Sequence, residues 1–203
     1  MPTATSKPLI LASASVTRAK MLARAGVSAE AVPAAVDEDG LKESLLAEAT
    51  PPRGIADSLA EAKACSVSFM HPDRMVLGAD QILVQDGVIF SKAANHTEAA
   101  ATLRALSGRS HQLISAAVIY QDGQSVWRAA SSATLSVRDL SEDFIKQYLD
   151  TLGGDAFWSV GCYQLEGLGA QLFDKIDGDY YTVLGLPLLA VLDFLRRQDM
   201  VAA

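Results

Sequence analysis

Two stretches of this sequence place phosphate-binding and proton-transfer side chains directly beside apolar runs. In LILASASVTRAKMLARAG, residues 9–26, Ser13, Ser15 and Arg18 follow four apolar residues. Hydroxyls, the first amides of a helix and a guanidinium fork are the donors that a polyphosphate takes. A capped helix with a surface arginine accounts for the same residues, and no Gly-rich phosphate loop or dinucleotide fingerprint accompanies them. In MVLGADQILVQDGVIF, residues 75–90, Asp80 interrupts an apolar run. A carboxylate in a buried strand is costly unless it meets a cation or does chemistry, so Asp80 is a candidate for either. Lys92 follows, placed to meet an anion near the same strand end. The adjacent acids Asp37, Glu38 and Asp39 read as a solvated loop or as a divalent-metal or water-positioning site, since hard cations prefer carboxylate oxygens. Lys63 projects from a helical stretch, where a solvated lysine is the ordinary reading.

The elements that must position these residues follow from periodicity and punctuation. Residues 9–12 form a strand that passes through a tight turn into a helix, with Ser15 or Thr17 as N-cap and Gly26 just past its end. Pro33 and Asp39-Gly40 mark an irregular connection. Pro51-Pro52 opens a helix to about Phe69, with Ile55, Leu59, Ala62 and Val67 on its apolar side. The 75–90 stretch is a strand and hairpin turning at Asp86-Gly87, and Gly78 suits a close backbone approach. A helix starts at Thr97 and stops at Gly108, with Leu103 and Leu106 inward. Residues 111–120 and 126–137 form two long strands joined through Asp122-Gly123, a layout that reads as a platform rather than a catalytic region. Ser141 caps a helix ending at Gly153-Gly154. Gly161, Gly167 and Gly169 surround Gln164 and Glu166 in a turn between strands, Asp177-Gly178 makes a hairpin, and Gly185-Leu186-Pro187 ends a strand. The terminal helix packs Leu189, Leu192 and Leu195 inward.

The chain of 203 residues is one large domain or two closely joined lobes, with half its residues apolar and a fifth charged. A formal net charge of −7 argues against a broad nucleic-acid surface but leaves room for a small anionic ligand in a locally positive site. Cys65 and Cys162 have no metal-ligand or redox spacing and read as buried thiols of a reducing compartment. His71, His96 and His111 show no ligand spacing. The opening residues carry no long apolar stretch, so no secretory signal is expected, and no apolar run approaches a membrane span. The expectation is a cytoplasmic protein with flexible ends at residues 1–7 and 199–203.

With LILASASVTRAKML, VLGADQILV and GCYQLEGLGAQLFDKIDGDYYTVLGLPL in this order, the chain resembles the Maf family of nucleoside triphosphate pyrophosphatases from about Pro8 to Arg197. The resemblance implies a single domain over residues 1–203 with an elongated α/β fold, related to the inosine triphosphatases. Its mixed sheet would be flanked by helices, with a central cleft between two lobes. It implies cleavage of a nucleoside triphosphate to monophosphate and pyrophosphate with a divalent cation of Mg or Mn type, often in a homodimer. Asp80 matches the family's proton acceptor, and Ser13, Arg18, Lys63 and Lys92 match its phosphate-binding positions, with Ser15 adding a second hydroxyl. Glu38 matches an acidic position near the metal, which it would hold with Asp80. Thr17, Gln81 and Glu166 occupy the positions that sort substrate groups by base. Val16-Thr17 before the arginine, Ala93 after Lys92 and Gln81 depart from the commonest pattern.

Hydrolysis at the α-phosphorus needs a held triphosphate, neutralised charge, an activated water and a departing pyrophosphate. The residues named above answer each need, with Asp80 as base or as ligand to a metal-bound water. The expected activity is a broad nucleoside triphosphate pyrophosphatase leaning toward guanine-type or methylated bases. Its alternatives are a 7-methyl-GTP-specific pyrophosphatase and a non-catalytic nucleotide-binding regulator of cell division.

Overall fold

A computed structural model describes residues 7–202. The expectation of flexible ends therefore falls, for residues 1–6 and 203, outside the described residues. In chain order the elements begin with β1 (Leu9–Ala12), α1 (Val16–Arg24), β2 (Ala29–Ala31), α2 (Glu38–Ala47), α3 (Pro52–Ser68), β3 (Val76–Gln85) and β4 (Val88–Phe90). There follow α4 (His96–Leu106), β5 (Ser110–Gln121), β6 (Gln124–Val137), α5 (Glu142–Leu152), β7 (Phe173–Asp177), α6 (Tyr180–Val183) and α7 (Leu188–Arg197), with two 3₁₀ segments at 153–158 and 168–172. The fold is α/β: seven strands form one mixed, open sheet in the order β2-β1-β3-β5-β6-β7, with β4 paired to β3, and helices flank it.

Two compact units divide the chain, the first comprising residues 1–81, 114–131 and 180–203. At its centre β1 runs parallel to both β2 and β3, with Leu9 opposite Ala29, Ile10 opposite Val76 and Ala12 opposite Gly78. All four β1 residues are fully buried, as a parallel strand covered on both faces requires. Strand alternation sorts their contacts. Leu9, Leu11, Leu77 and Ala79 pack with Met21 and Leu22 of α1 and with Val191 and Leu195 of α7. Ile10, Ala12 and Val76 pack on the other face against Val67 of α3. By the same alternation Gly78 and Asp80 belong to the α3 face and Gln81 to the face of α1 and α7.

The second unit, residues 82–113 and 132–179, packs α4 and α5 together, and Leu103 and Leu106 of α4 and Ile145 and Leu149 of α5 are buried. Asn95 caps α4, its Oδ1 accepting the Glu98 amide, and Glu98 reaches back with Oε2 to the amide of Ala94 just before the cap and with Oε1 to Asn95 Nδ2. Ser141 caps α5 as expected. β6 and β7 pair antiparallel, with Leu135 opposite Ile176.

Several expected elements differ. The acids at 37–39 open helix α2 instead of a loop: Asp37 Oδ1 accepts the Gly40 amide at 3.0 Å, and Glu38 and Asp39 lie in the first turn, where the helix dipole favours them. Asp177-Gly178 leads from β7 into α6 and makes no hairpin, because Gly178 (φ +142°) packs against Ala133 and turns the chain away. Gly185-Leu186-Pro187 follows helix α6 and does not end a strand. On α7 the buried side chains are Leu188, Val191, Phe194 and Leu195, and Leu189 is 60% exposed, the apolar face starting one residue earlier than expected. Cys162 is buried and Cys65 only half so. On α3, Ala60 and Ala64 fill the places nearest β3, while Ala62 is half-buried.

Gly78 carries that last contact. A Cβ there would fall on the Ala60 carbonyl and lie 2.6 Å from the Ala64 nitrogen, so the α3 backbone touches β3 directly. Gly78→Ala is expected to cost about 2 kcal/mol as α3 is pushed outward, overpacking being relieved only by backbone movement. A lower denaturant midpoint checks it; an unchanged midpoint would show that α3 is free to shift.

Candidate functional site

The first unit gathers most of the candidate residues at the carboxyl end of β1, beside the middle of β3. β1 leads through α1 to β2 on one side, whereas β3 leads on toward β5 on the other, the topological switch at which open α/β sheets bind ligands. Ser13 is buried in the turn after β1, and its Oγ accepts the Ser15 amide at 3.2 Å. Ser15 is the N-cap of α1, accepting the Arg18 amide at 3.3 Å, which decides between it and Thr17. Thr17 lies half-buried in the first turn. The Val16 and Thr17 amides head the helix with no intrahelical acceptor.

Arg18 is buried and donates through Nε to the Gly185 carbonyl at 2.8 Å and through Nη1 to Ser13 Oγ at 3.2 Å. Burial pulls its guanidinium below the ordinary arginine value, while Asp80 and Glu38 act to raise it. It remains a cation, as arginine does in proteins. Gly185 takes a positive φ of 101° and has no side chain to crowd the guanidinium.

Beside this cradle Lys63 of α3 donates to Asp80 Oδ1 at 2.6 Å and lies 2.7 Å from Glu38 Oε2. Its side chain is 8% exposed, against 11% for Asp80 and 49% for Glu38. Lys63 is thus a buried ammonium held between two carboxylates, and the solvated lysine is excluded. Asp80 meets the cation that its place in a buried strand demanded. Gln81, next along β3, faces the other way: its Nε2 donates toward Ser115 Oγ, Thr182 O and Val183 O.

Lys92 and Glu166 belong to the second unit, and both are exposed. Lys92 follows β4. Glu166 lies in an irregular segment between the 3₁₀ turns, not between strands, and a folded frame holds that segment. Ser159 Oγ accepts the Tyr163 amide at 3.0 Å and donates to the Tyr163 carbonyl at 2.7 Å. Gly169 backs onto the Gln164 main chain, where a Cβ would not fit. The Tyr163 hydroxyl meets His111 Nε2 at 2.6 Å.

Sequence reasoning missed Ser115, Ser131, Thr182 and Gly185, and it read β5 and β6 as a platform. Ser115 on β5 and Ser131 on β6 reach Thr182, at 2.8 Å from its carbonyl and 2.6 Å from its hydroxyl, so these strands support the Gln81 side of the site. The signal was a single serine, Ser115, inside the apolar run LISAAVIY.

Among the described residues no group of three or more His, Cys, Asp or Glu could by itself hold a metal ion. Asp80 and Glu38 nonetheless converge on one cationic point, and a carboxylate pair completed by phosphate oxygens and water is the donor set that Mg²⁺ takes. The donor chemistry therefore fits a divalent cation.

Fold and site define an α/β protein with a hydroxyl–guanidinium cradle at a switch point, backed by a lysine–carboxylate cluster. A family model described as Maf-like protein matches residues 8–198, and the chain belongs to that family. It is 50% identical over 194 residues, 96% of its length and 98% of the relative's, to the "Nucleoside triphosphate pyrophosphatase 1" of Jannaschia sp. (strain CCS1). Over 189 residues it is 51% identical to the "Nucleoside triphosphate pyrophosphatase" of Caulobacter vibrioides, covering 93% of this chain and 94% of that one. A protein of the same name from Paramagnetospirillum magneticum is 49% identical over 188 residues, covering 93% and 97%.

His111 gives the second unit a measurable pH response. Burial lowers it from 6.5 to about 4, and its Nδ1 is buried without a partner. The folded protein holds it neutral while the unfolded chain takes up a proton near 6.5. Stability is therefore fully present above that pH, falls as pH drops, and the loss is complete by about pH 4, reaching about 3 kcal/mol. His111→Gln, which keeps a hydrogen-bonding group for Tyr163, is expected to make the fall in melting temperature between pH 6.5 and 4 shallower. Identical slopes would place the acid response elsewhere.

Proposed function

We propose that the chain hydrolyses nucleoside triphosphates between the α- and β-phosphates, releasing the monophosphate and pyrophosphate. The observation that carries this reading is the Arg18–Ser13–Ser15 cradle set beside the Lys63–Asp80–Glu38 cluster at one strand switch. Phosphate oxygens are held by the two hydroxyls, the leading amides of α1 and Arg18, groups fixed before the ligand arrives. Lys63 adds positive charge, and the family resemblance makes Lys92 a further phosphate-binding position. Arg18 and Lys63 only balance Asp80 and Glu38, so a multiply charged ligand calls for a further cation. A divalent ion of Mg or Mn type, when bound by Asp80 and Glu38, would supply that neutralisation on the phosphate oxygens. Asp80 Oδ1 is committed to Lys63, leaving Oδ2 either to join Glu38 on that ion or to take the proton of the attacking water. The water oxygen forms the new bond to the α-phosphorus as the bond to the bridging oxygen breaks, and pyrophosphate leaves with that oxygen. The family resemblance favours a homodimer in the cytoplasm. No described helix is long and apolar enough to cross a membrane, and the net charge of −7 disfavours nucleic acid.

Pyrophosphate release from a nucleotide panel, with and without divalent metal, tests the reading. Asp80→Asn is expected to lower turnover about 10²-fold, the scale of a lost general base, while nucleotide binding persists. Turnover near that of the unaltered protein would remove Asp80 from the reaction.

For the base, Thr17, Gln81 and Glu166 support a broad enzyme leaning toward guanine-type or methylated bases. A carboxylate at Glu166 accepts the N–H groups of a guanine edge and favours the positive charge of a 7-methylguanine. Thr17 offers no aromatic platform, which suits a loose site. Specificity constants are expected to rank 7-methyl-GTP and GTP above UTP and dTTP, with Glu166→Gln narrowing the gap. A strong preference for UTP or dTTP would overturn the base assignment and leave pyrophosphate release standing.

A further inference from the structure

The Lys63 ammonium makes both of its ion pairs with carboxylates, Asp80 Oδ1 at 2.6 Å and Glu38 Oε2 at 2.7 Å. Those are the distances of charge-assisted hydrogen bonds, and they occupy two of its three N–H donors. The family resemblance counts Lys63 among the phosphate-binding positions; in the structure it is the partner of the acids. Its side chain is 8% exposed, so water offers it little in exchange for either carboxylate. Arg18, itself buried, feels the charges of the same two acids. Two fixed cations thus face two carboxylates, and the group carries no net charge.

A free divalent ion gains little from such a group. It competes with an ammonium already seated between the acids, and Lys63 and Arg18 both repel it. Mg²⁺ also dehydrates reluctantly and takes one or two carboxylates together with substrate phosphates in preference to an all-protein cage. A triphosphate reverses the balance. It brings an excess of negative charge and carries the ion on its own oxygens, while Arg18 and the leading amides of α1 take other phosphate oxygens. The second oxygens of Asp80 and Glu38, which Lys63 leaves, remain for the ion.

We propose that Lys63 is the resident counter-ion of the Asp80–Glu38 pair, a positioning residue that excludes free divalent ions and admits one only on the triphosphate. The inference rests on the nucleotide reading above and deepens it by giving the site an order of binding. The acids are drawn together before any ligand arrives, yet they are already neutralised. The empty site therefore neither repels the triphosphate nor fills with metal. Lys63→Met would keep the length of the stem and leave the acids in excess over Arg18, the setting that draws a divalent ion.

Water-proton relaxation enhancement by Mn²⁺ tests this, because it separates ion held on the protein from ion in solution or on free nucleotide. The α,β-methylene analogue of GTP is expected to tighten Mn²⁺ binding to the unaltered protein about a hundredfold over Mn²⁺ alone. Lys63→Met, with no nucleotide, is expected to bind Mn²⁺ about a hundredfold more tightly than the unaltered protein, the scale of one uncompensated buried charge. Lys63→Arg, which keeps the charge, should show no such gain, and adding Glu38→Gln to Lys63→Met should remove it. Equal Mn²⁺ affinity of the unaltered protein with and without the analogue would overturn the proposal, and that comparison decides if Lys63→Met does not fold. A folded Lys63→Met that gains no Mn²⁺ affinity would overturn it as well. Pyrophosphate release and binding of the analogue are read separately. Their failure would count against the nucleotide reading, while Mn²⁺ titration of the two nucleotide-free proteins still decides the role of Lys63.

Discussion

A buried ammonium between two carboxylates is the constraint around which the first unit is arranged. Removing charges from water is costly, and the attraction among them offsets that cost only when the geometry is close. Lys63 meets Asp80 at 2.6 Å and Glu38 at 2.7 Å, and each contact needs backbone to be in a particular place. The first requires α3 to lie directly on β3, which the missing side chain of Gly78 permits. The second requires α2 to begin at Glu38, which the Asp37 cap fixes. An apolar trio of similar volume would be no less stable in such a place, so the cluster is better understood through what its charges do.

Strand alternation then gives β3 two duties from neighbouring residues. Asp80 looks toward α3 and joins the ionic cluster; Gln81 looks toward β5 and α6 and joins a network of hydroxyls and carbonyls. One rigid, buried strand thereby fixes an acid and an amide relative to each other, with no loop between them. The register of β1 against β3, Ala12 opposite Gly78, brings the Ser13–Arg18 cradle alongside.

Much of this was legible in the sequence, for identifiable reasons. β1 and α1 were readable because an apolar run, a serine cap and a glycine stop agree with one another. Asp80 stood out because a lone acid in an apolar run demands a partner. The partner itself was not readable: Lys63 and Glu38 lie 17 and 42 residues upstream of Asp80, and burial of a lysine depends on a contact that only the fold makes. Helix α2 was missed because its acids and glycine resemble a turn, and the helix buries no side chain that would give it an apolar stripe. Ser115 was passed over because a serine in a strand is unremarkable until its neighbours across the sheet are known. The resemblance to known pyrophosphatases supplied the roles that periodicity could not.

The absence of buried side chains in α2 has a consequence for how the ionic cluster is reached. Local opening of a segment costs roughly the contacts it gives up, and α2, which lies against α3, holds no fully buried side chain. β3, by contrast, opens only with the core around it. The two carboxylates on Lys63 thus differ in exposure, 49% for Glu38 against 11% for Asp80. Glu38 therefore holds the ammonium from the solvent side and Asp80 holds it from the core, so that solvent and solutes reach the cluster past Glu38.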